Sequence, residues 1–185
     1  MDSPPLERLD DAALVRLSLN GRREAFDHIV ERHRRSVYQL CYRFVGNHED
    51  ASDLSQDVFV RAYRALRTFK GESALGTWLY RIGVNVCLNR VSVKTPPIEP
   101  VGAVERADLK VEAADITLER RETSAMVRAA IARLPRKQRA TLILRAYHEL
   151  PHEEIARILG SSVGAVKANF FHALANLKKV LQGER

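Results

Sequence analysis

The sequence is poor in the residues on which several kinds of chemistry depend. Its 185 residues include only two cysteines and one tryptophan, and they show no glycine-rich phosphate loop and no cluster with metal-ligand spacing. No stretch approaches the roughly 20 apolar residues of a membrane span. The N-terminus lacks the basic-then-apolar order of a signal peptide. These absences predict a cytoplasmic protein that uses no metal or cofactor and is not an enzyme.

The two cysteines, Cys41 and Cys87, lie far apart within strongly helical patterns. This placement favours small buried hydrophobic residues in a reducing compartment over a disulfide. A redox role for the pair stays open.

Positive charge is in excess and is unevenly distributed. The formal net charge is +7. Residues 1–93 carry 14 basic and 12 acidic side chains, residues 94–114 carry 3 and 4, and residues 115–185 carry 13 and 7. Most of the excess therefore lies in the last third, as expected if that part meets a polyanion.

Helical periodicity dominates the chain, and the sequence predicts an all-α protein of two small helical domains joined by a flexible linker. Helices are expected over residues 11–19, 22–45, 49–66 and 75–91 in the first domain, 1–93. The linker, 94–114, contains three prolines and has no apolar stripe. In the second domain, 115–185, apolar faces are expected to include Met126 in its first helix and Leu174 and Leu181 in its last.

The last two helices have the pattern of a helix-turn-helix. Pro151 precedes a short helix, Gly160 turns the chain, and Ser162 is placed to cap a final helix of about 19 residues. Its exposed face would carry donors for bases or phosphates and apolar groups for thymine methyls. Those residues are Lys167, Ala168, Phe171 and His172. A helical hairpin that merely packs is the alternative.

An acidic flank marks the third predicted helix. Asp50, Asp53 and Asp57 fall within two turns, and Gln56 adds hydrogen-bonding capacity. Such a flank suits docking on a basic protein surface. A solvated face and a catalytic carboxylate pair are the other interpretations.

The stretch from Phe69 to Arg90 brings aromatic, basic and amide side chains together. A short loop precedes a helix that carries Trp78, Tyr80 and Asn85. Such a surface can stack on an unpaired base and hydrogen-bond its edge. A core helix with a buried tryptophan would show the same pattern.

With these features in view, the chain resembles a sigma factor of the extracytoplasmic-function (ECF) group of the sigma-70 family. Four blocks carry the resemblance: residues 20–47, 49–66, 69–85 (FKGESALGTWLYRIGVN) and 134–174. It implies that residues 1–93 are region 2, which binds core RNA polymerase and melts the −10 element. It also implies that residues 115–185 are region 4, which reads the −35 element, and that the acidic linker threads the polymerase.

The resemblance also implies roles for particular residues. Core polymerase binding would fall to Asp50, Asp53, Gln56 and Asp57. Capture of a flipped −10 base would fall to Phe69, Lys70, Gly71, Tyr80 and Asn85, with Trp78 as scaffold. Contacts to the −35 element would come from Lys167, Ala168, Phe171 and His172. The chain has Ala168, Asn169, His172 and Leu174 where the commoner family pattern has one serine and three arginines, which leaves the −35 preference open.

The expected partners are bacterial core RNA polymerase, promoter DNA and an anti-sigma factor. A free-standing helix-turn-helix regulator is the alternative function. It predicts a ligand pocket or dimer surface in the first domain, together with DNA binding that needs no polymerase.

Overall fold

The computed structural model describes residues 5–93 and 118–183, and all regular elements in these two ranges are helical. The first range holds α1 (Asp11–Leu19), α2 (Arg23–Val45), α3 (His48–Ala65) and α4 (Leu75–Val93). The second holds α5 (Leu118–Ala132), α6 (Arg136–Ala146), α7 (His152–Leu159) and α8 (Val163–Leu181). The all-α prediction is confirmed, and the predicted linker lies outside the described residues.

Local capping chemistry sets several of these helix ends. The Asp10 carboxylate accepts a hydrogen bond from the Ala13 N–H at 2.7 Å, and the Ser162 hydroxyl accepts one from Ala165 at 3.1 Å. Gly46 and Gly160 end α2 and α7 in the left-handed conformation, with φ of 77° and 57°. A short 3-10 turn, Leu66–Thr68, links α3 to the loop before α4; the periodicity did not predict it.

The first domain is a bundle in which α2 contacts α1, α3 and α4. Phe44, Leu14, Ile29 and Leu40 are among its largest fully buried side chains. A Cβ added at Gly83 would lie 2.8 Å from a methyl of Leu40, so glycine is what allows α4 to approach α2 this closely.

The second domain packs α5, α6 and α7 against α8. Three expected core positions are wrong, because Met126, Leu174 and Leu181 are 58%, 46% and 38% exposed. In α8, Val166 is buried as the apolar stripe predicts, and Ala173 is buried where Leu174 was expected. The packed stripe of α8 runs through Val166, Phe170, Ala173 and Leu177, so Leu174 lies beside it rather than on it.

The two domains touch through α4 and α7 and through α2 and α6. Arg139 of α6 is 7% exposed and donates a hydrogen bond to the backbone carbonyl of Phe44, in the last turn of α2. The Arg43 guanidinium lies 4.0 Å from the centre of the Tyr147 ring. A buried cation thus satisfies a helix C-terminal carbonyl across the contact, an arrangement that is costly to break from one side.

Candidate nucleic-acid interface

A cavity of about 480 Å³ opens between the end of α3, the following loop and α4. Phe69 and Trp78 form its aromatic wall, with ring centres 5.3 Å apart and planes tilted by 51°. Lys70 and Arg81 supply positive charge, and Asn85 supplies an exposed amide. The remaining lining residues are Ala65, Thr68, Glu72, Ser73 and Ile82. Stacking, charge and hydrogen-bonding groups therefore meet in one open site.

Helix geometry places these groups together. Trp78, Arg81 and Asn85 follow one another at intervals of three and four, so they share a face of α4. Phe69 is held by the turn before it, where its N–H donates to the Leu66 carbonyl at 3.1 Å. Gly71 takes a φ of 73° in the loop without lining the cavity. The chain reversal that brings Phe69 to Trp78 thus uses a backbone conformation that glycine adopts at no steric cost.

The structure divides the five residues expected at this site. Phe69, Lys70 and Asn85 line the cavity, and Gly71 shapes its loop. Tyr80 lies elsewhere, because its hydroxyl shares a 3.0 Å hydrogen bond with Nδ1 of His148 in the second domain. Burial raises the pKa of Tyr80. Trp78 both packs on Phe69 and lines the cavity. It can therefore support the site and contact a bound base at the same time.

The side of α4 that carries Tyr80 is covered by residues of the second domain that the sequence analysis did not single out. Burial lowers the pKa of His148 to about 4, and the charge of Arg43 acts in the same direction. The hydroxyl of Thr77 donates to the Glu154 carboxylate at 3.1 Å. No local signal pointed to these contacts, because their partners are 68 and 77 residues apart.

The acidic flank of α3 also divides. Asp50 accepts a 2.7 Å hydrogen bond from Arg90 of α4, and its side chain is only 16% exposed. Asp57 pairs with Arg61 on its own helix at 3.0 Å. Asp53 and Gln56 are exposed. A partner surface would therefore meet Asp53 and Gln56 first, while Asp50 joins α3 to α4.

The four residues expected to read DNA in the second domain lie exposed on α8. These are Lys167, Ala168, Phe171 and His172. Phe171 is 70% exposed, with its ring centre 5.7 Å from that of His172. The opposite side of the helix is anchored by Val166 and Ala173, which are fully buried. The helix thus presents small, apolar and donor groups on its free side, as a recognition helix does.

The buried cysteines and the histidines form no separate site. Hydrogen bonding with Cys41, together with burial, raises the pKa of the Cys87 thiol far above its usual range. Both thiols are fully buried. In the described parts of the chain, no three histidine, cysteine or acidic side chains gather as they would around a metal ion. No described helix combines the length and the apolar character needed to cross a membrane.

These features define a class: a two-domain helical protein with an open aromatic and amide-lined cavity in one bundle and a helix-turn-helix in the other. Comparisons with known proteins identify the family within this class. The sigma-70 region 2 family matches residues 29–95, and the sigma-70 region 4 family matches residues 124–177. The RNA polymerase sigma-H factor of Pseudomonas aeruginosa is 34% identical over 96% of this chain and 96% of that protein. The ECF RNA polymerase sigma-E factor of Escherichia coli K12 is 35% identical over 90% of this chain and 92% of that protein.

Comparison with solved structures gives the same fold. CnrH in complex with the cytosolic domain of CnrY matches with a TM-score of 0.68 and 26% identity, covering 95% of this chain and 99% of that one. RpoE of Bartonella quintana, solved with the anti-sigma factor NepR, matches with a TM-score of 0.63 and 21% identity over 86% and 98%, which supports the fold alone. The chain belongs to the sigma-70 family, in its ECF group. As a sigma factor it is a transcription initiation factor that works with RNA polymerase, not an enzyme.

Proposed function

We propose that this sigma factor captures a flipped −10 base in the cavity formed by Phe69, Trp78 and Asn85 and reads the −35 element with α8. The observation that carries the proposal is the open cavity itself. It joins a stacking surface, two cations and an exposed amide with no side chain of the second domain among its lining residues. Unstacking a base costs a few kcal/mol, and stacking recovers about 1–3 kcal/mol.

Each domain has its own role in this proposal. Residues 1–93 act on core polymerase and the −10 element, residues 94–114 link the domains, and residues 115–185 act on the −35 element. Base capture uses Phe69, Lys70, Gly71 and Asn85. Tyr80 joins them once the second domain has moved off α4, because His148 occupies its hydroxyl in the arrangement described above.

Reconstitution with core polymerase tests the proposal. The purified chain and bacterial core enzyme are expected to give discrete run-off transcripts from fragments of the source genome, and neither alone should do so. Operator binding by the chain without polymerase, with no promoter-dependent transcripts, would support the free-standing regulator instead.

Core docking is expected to depend on the exposed part of the acidic flank. Asp53→Arg should weaken binding to core polymerase about tenfold at low salt, because the reversal places a cation against a basic surface. The matched variant Glu31→Arg reverses an exposed acidic residue on α2, where it pairs with Arg34, and should bind normally. Equal affinity of the two variants would remove Asp53 from the docking surface.

An anti-sigma factor is the third expected partner. Both solved neighbours above were captured with another protein, the cytosolic domain of CnrY in one case and NepR in the other. The fold similarity to CnrH extends over both domains. We expect a regulatory protein of this kind to bind the present chain across its two domains, and co-purification from the source organism would identify it.

A further inference from the structure

One face of α4 is covered by the second domain, and Cys87 continues that face toward the helix C-terminus. Thr77, Tyr80 and Cys87 are separated by three and then seven residues, so they align along one side of the helix. The hydroxyls of Thr77 and Tyr80 are hydrogen-bonded to side chains of α7 and of the turn before it. Cys87 lies within electrostatic range of Arg139 on α6. The second domain therefore covers Cys87 as well as the two hydroxyls.

Cys41 lies behind Cys87, on α2. Both side chains are fully buried, and their thiols interact by hydrogen bonding. The two helices approach closely one turn away, where a Cβ added at Gly83 would lie 2.8 Å from a methyl of Leu40. A disulfide needs Cα atoms about 4.4–6.8 Å apart, a separation that so close a helix contact favours. The thiols are thus placed to join to each other without unfolding of the first domain.

The cover over this thiol pair is an incompletely paired cation. Arg139 is 7% exposed and donates to the backbone carbonyl of Phe44, one turn after Cys41, and to that of Ala132 at 3.3 Å. Its Nε has no partner among the described residues. A buried cation with an unsatisfied donor recovers only part of its desolvation cost, which lowers the free energy needed to separate the domains. Cys87 can therefore be uncovered while both domains stay folded.

Covered and uncovered thiols differ in reactivity. The thiolate is the form that attacks a disulfide. In the closed structure, hydrogen bonding with Cys41, together with burial, raises the pKa of the Cys87 thiol, which keeps it protonated and out of reach of solutes. Departure of α6 exposes this side of α4 to water and to reagents, so the thiol ionises more readily. The closed chain is inert, whereas the open chain is reactive.

We propose that Cys87 and Cys41 are a redox-reactive thiol pair that the second domain covers and that reacts with low-molecular-weight disulfides when the domains separate. The Cys87 thiolate attacks one sulfur of oxidised glutathione, which forms a mixed disulfide and releases the other half as a thiolate that takes up the proton. The Cys41 thiolate then attacks the Cys87 sulfur, and the second glutathione leaves as its thiol. Two protein thiols are oxidised to one disulfide, and one glutathione disulfide is reduced to two thiols. A reducing thiol reverses both steps.

The first experiment measures the rate at which the full chain reacts with dithiobis(nitrobenzoate), an aromatic disulfide that releases a coloured thiolate. Arg139→Met removes the cover and should raise the rate about tenfold or more, because the rate follows the fraction of open chains. Arg136→Ala, exposed on the same helix, should leave the rate unchanged. Equal rates for the wild type and Arg139→Met would overturn the proposal.

A second pair of variants loosens the contact without changing the surroundings of the thiols. Glu154→Gln weakens the hydrogen bond to Thr77, at the far end of the covered face, and should raise the rate about two- to fivefold. Glu153→Gln, exposed on the same helix, is the matched control and should react at the wild-type rate.

The urea dependence of the rate identifies the opening that exposes the thiols. A slope well below that of global unfolding is expected, because domain separation exposes less surface than unfolding does. A slope equal to that of global unfolding in every variant would show that the thiols react only in the unfolded chain, and the proposal would be wrong.

Mass spectrometry after reaction with oxidised glutathione tests the order of the two steps. The wild type should end as an intramolecular disulfide without bound glutathione. Cys41→Ala should stop at glutathione on Cys87, and its radius of gyration should exceed that of the unmodified variant, because the tripeptide takes the place of Arg139. Cys87→Ala should react more slowly than either. A wild type that retains glutathione, or a Cys87→Ala variant as reactive as the wild type, would contradict the pairing.

Thiol reactivity is separate from the proposed base capture, because no DNA takes part in it. Asn85 lines the cavity on the open side of α4, so Asn85→Ala should react with the aromatic disulfide at the wild-type rate. A faster reaction of Asn85→Ala than of Arg139→Met would mean that reagents reach Cys87 from the cavity and not through the domain contact, and the thiol pair would then not be covered by the second domain.

Discussion

The two sides of α4 carry residues of similar chemistry in different environments, one at an open cavity and the other against the second domain. On one side Arg81 and Asn85 face an open cavity. On the other side, Thr77 and Tyr80 are hydrogen-bonded to Glu154 and His148 of the second domain. The polar groups of the open side are exposed to water and remain available to an external partner, whereas Thr77 and Tyr80 on the covered side already have partners within the chain. The family resemblance assigns Tyr80 and Asn85 to one site, but in this structure only Asn85 lines the open cavity, while the Tyr80 hydroxyl is hydrogen-bonded to His148.

The largest effect is expected from removing the buried cation that holds the covered side closed. Arg139→Met leaves the Phe44 carbonyl without its donor, and a hydrogen bond from a charged group contributes about 1.5–3 kcal/mol. The free energy of domain closure should become less favourable by about the same amount. The expected signs are a larger radius of gyration in small-angle scattering and faster amide exchange over residues 77–82.

Arg136→Ala is the control, because Arg136 is exposed on the same helix. If Arg139→Met unfolded the second domain alone, α7 and α8 would lose exchange protection together. Unchanged scattering and exchange would show that packing of α4 on α7 closes the domains without the cation.

A smaller effect is expected on the open side. Asn85→Ala removes an amide from the cavity and should reduce promoter opening about tenfold, the loss that one or two hydrogen bonds to a base would cause. Permanganate reactivity of the −10 thymines measures opening, and core affinity should stay unchanged. Asn89→Ala, one turn later and exposed but outside the cavity, is the matched control. Equal losses from both variants would show that the open side has no specific amide contact.

The fold was largely predictable from the sequence, and the reason is local. Helix ends follow from caps such as Ser162 and from the glycine at Gly46, and apolar periodicity locates the buried faces. The cavity was partly predictable, since Phe69, Lys70 and Asn85 lie within 17 residues of one another. The division of α4 was not predictable, because Tyr80 and Asn85 differ only in what the second domain covers. The exposure of Leu174 was not predictable either, because periodicity locates a buried stripe only to within about one residue, and the neighbouring Ala173 is the one that is buried.

Acidification should loosen the covered side and leave the open side unaffected. Burial holds the pKa of His148 at about 4, below the usual 6.5, so the closed form binds this proton less readily than an open form does. A depressed histidine pKa gives stability that is full above about pH 6.5 and is lost as the pH falls toward 4. Closure should therefore weaken by about 2 kcal/mol between pH 7 and pH 5.

Small-angle scattering across that pH range measures the change. His148→Phe keeps an aromatic ring against Tyr80 and removes the titration, so its scattering should not vary over the same range. A wild-type curve as flat as that of His148→Phe would mean that the ring stays neutral and covered at pH 5, and the domains would then be closed by the remaining contacts alone.

The smallest effect tests whether the covered side is held by hydrogen bonding or by shape. Thr77→Val keeps the volume of the side chain but removes its donor to Glu154, so closure should weaken by about 0.5–1 kcal/mol. Glu154 is only partly buried and regains water, which limits the loss. Thr141→Val is the matched comparison, because the Thr141 hydroxyl is buried without a partner among the described residues. That change should be neutral or stabilising, since it removes an unsatisfied polar group.

A double-mutant cycle of Thr77→Val with Glu154→Gln, read from urea unfolding, gives the coupling free energy between the two side chains. Coupling near zero would mean that α4 and α7 are held together by shape, and that the two sides of α4 differ in burial but not in polar satisfaction.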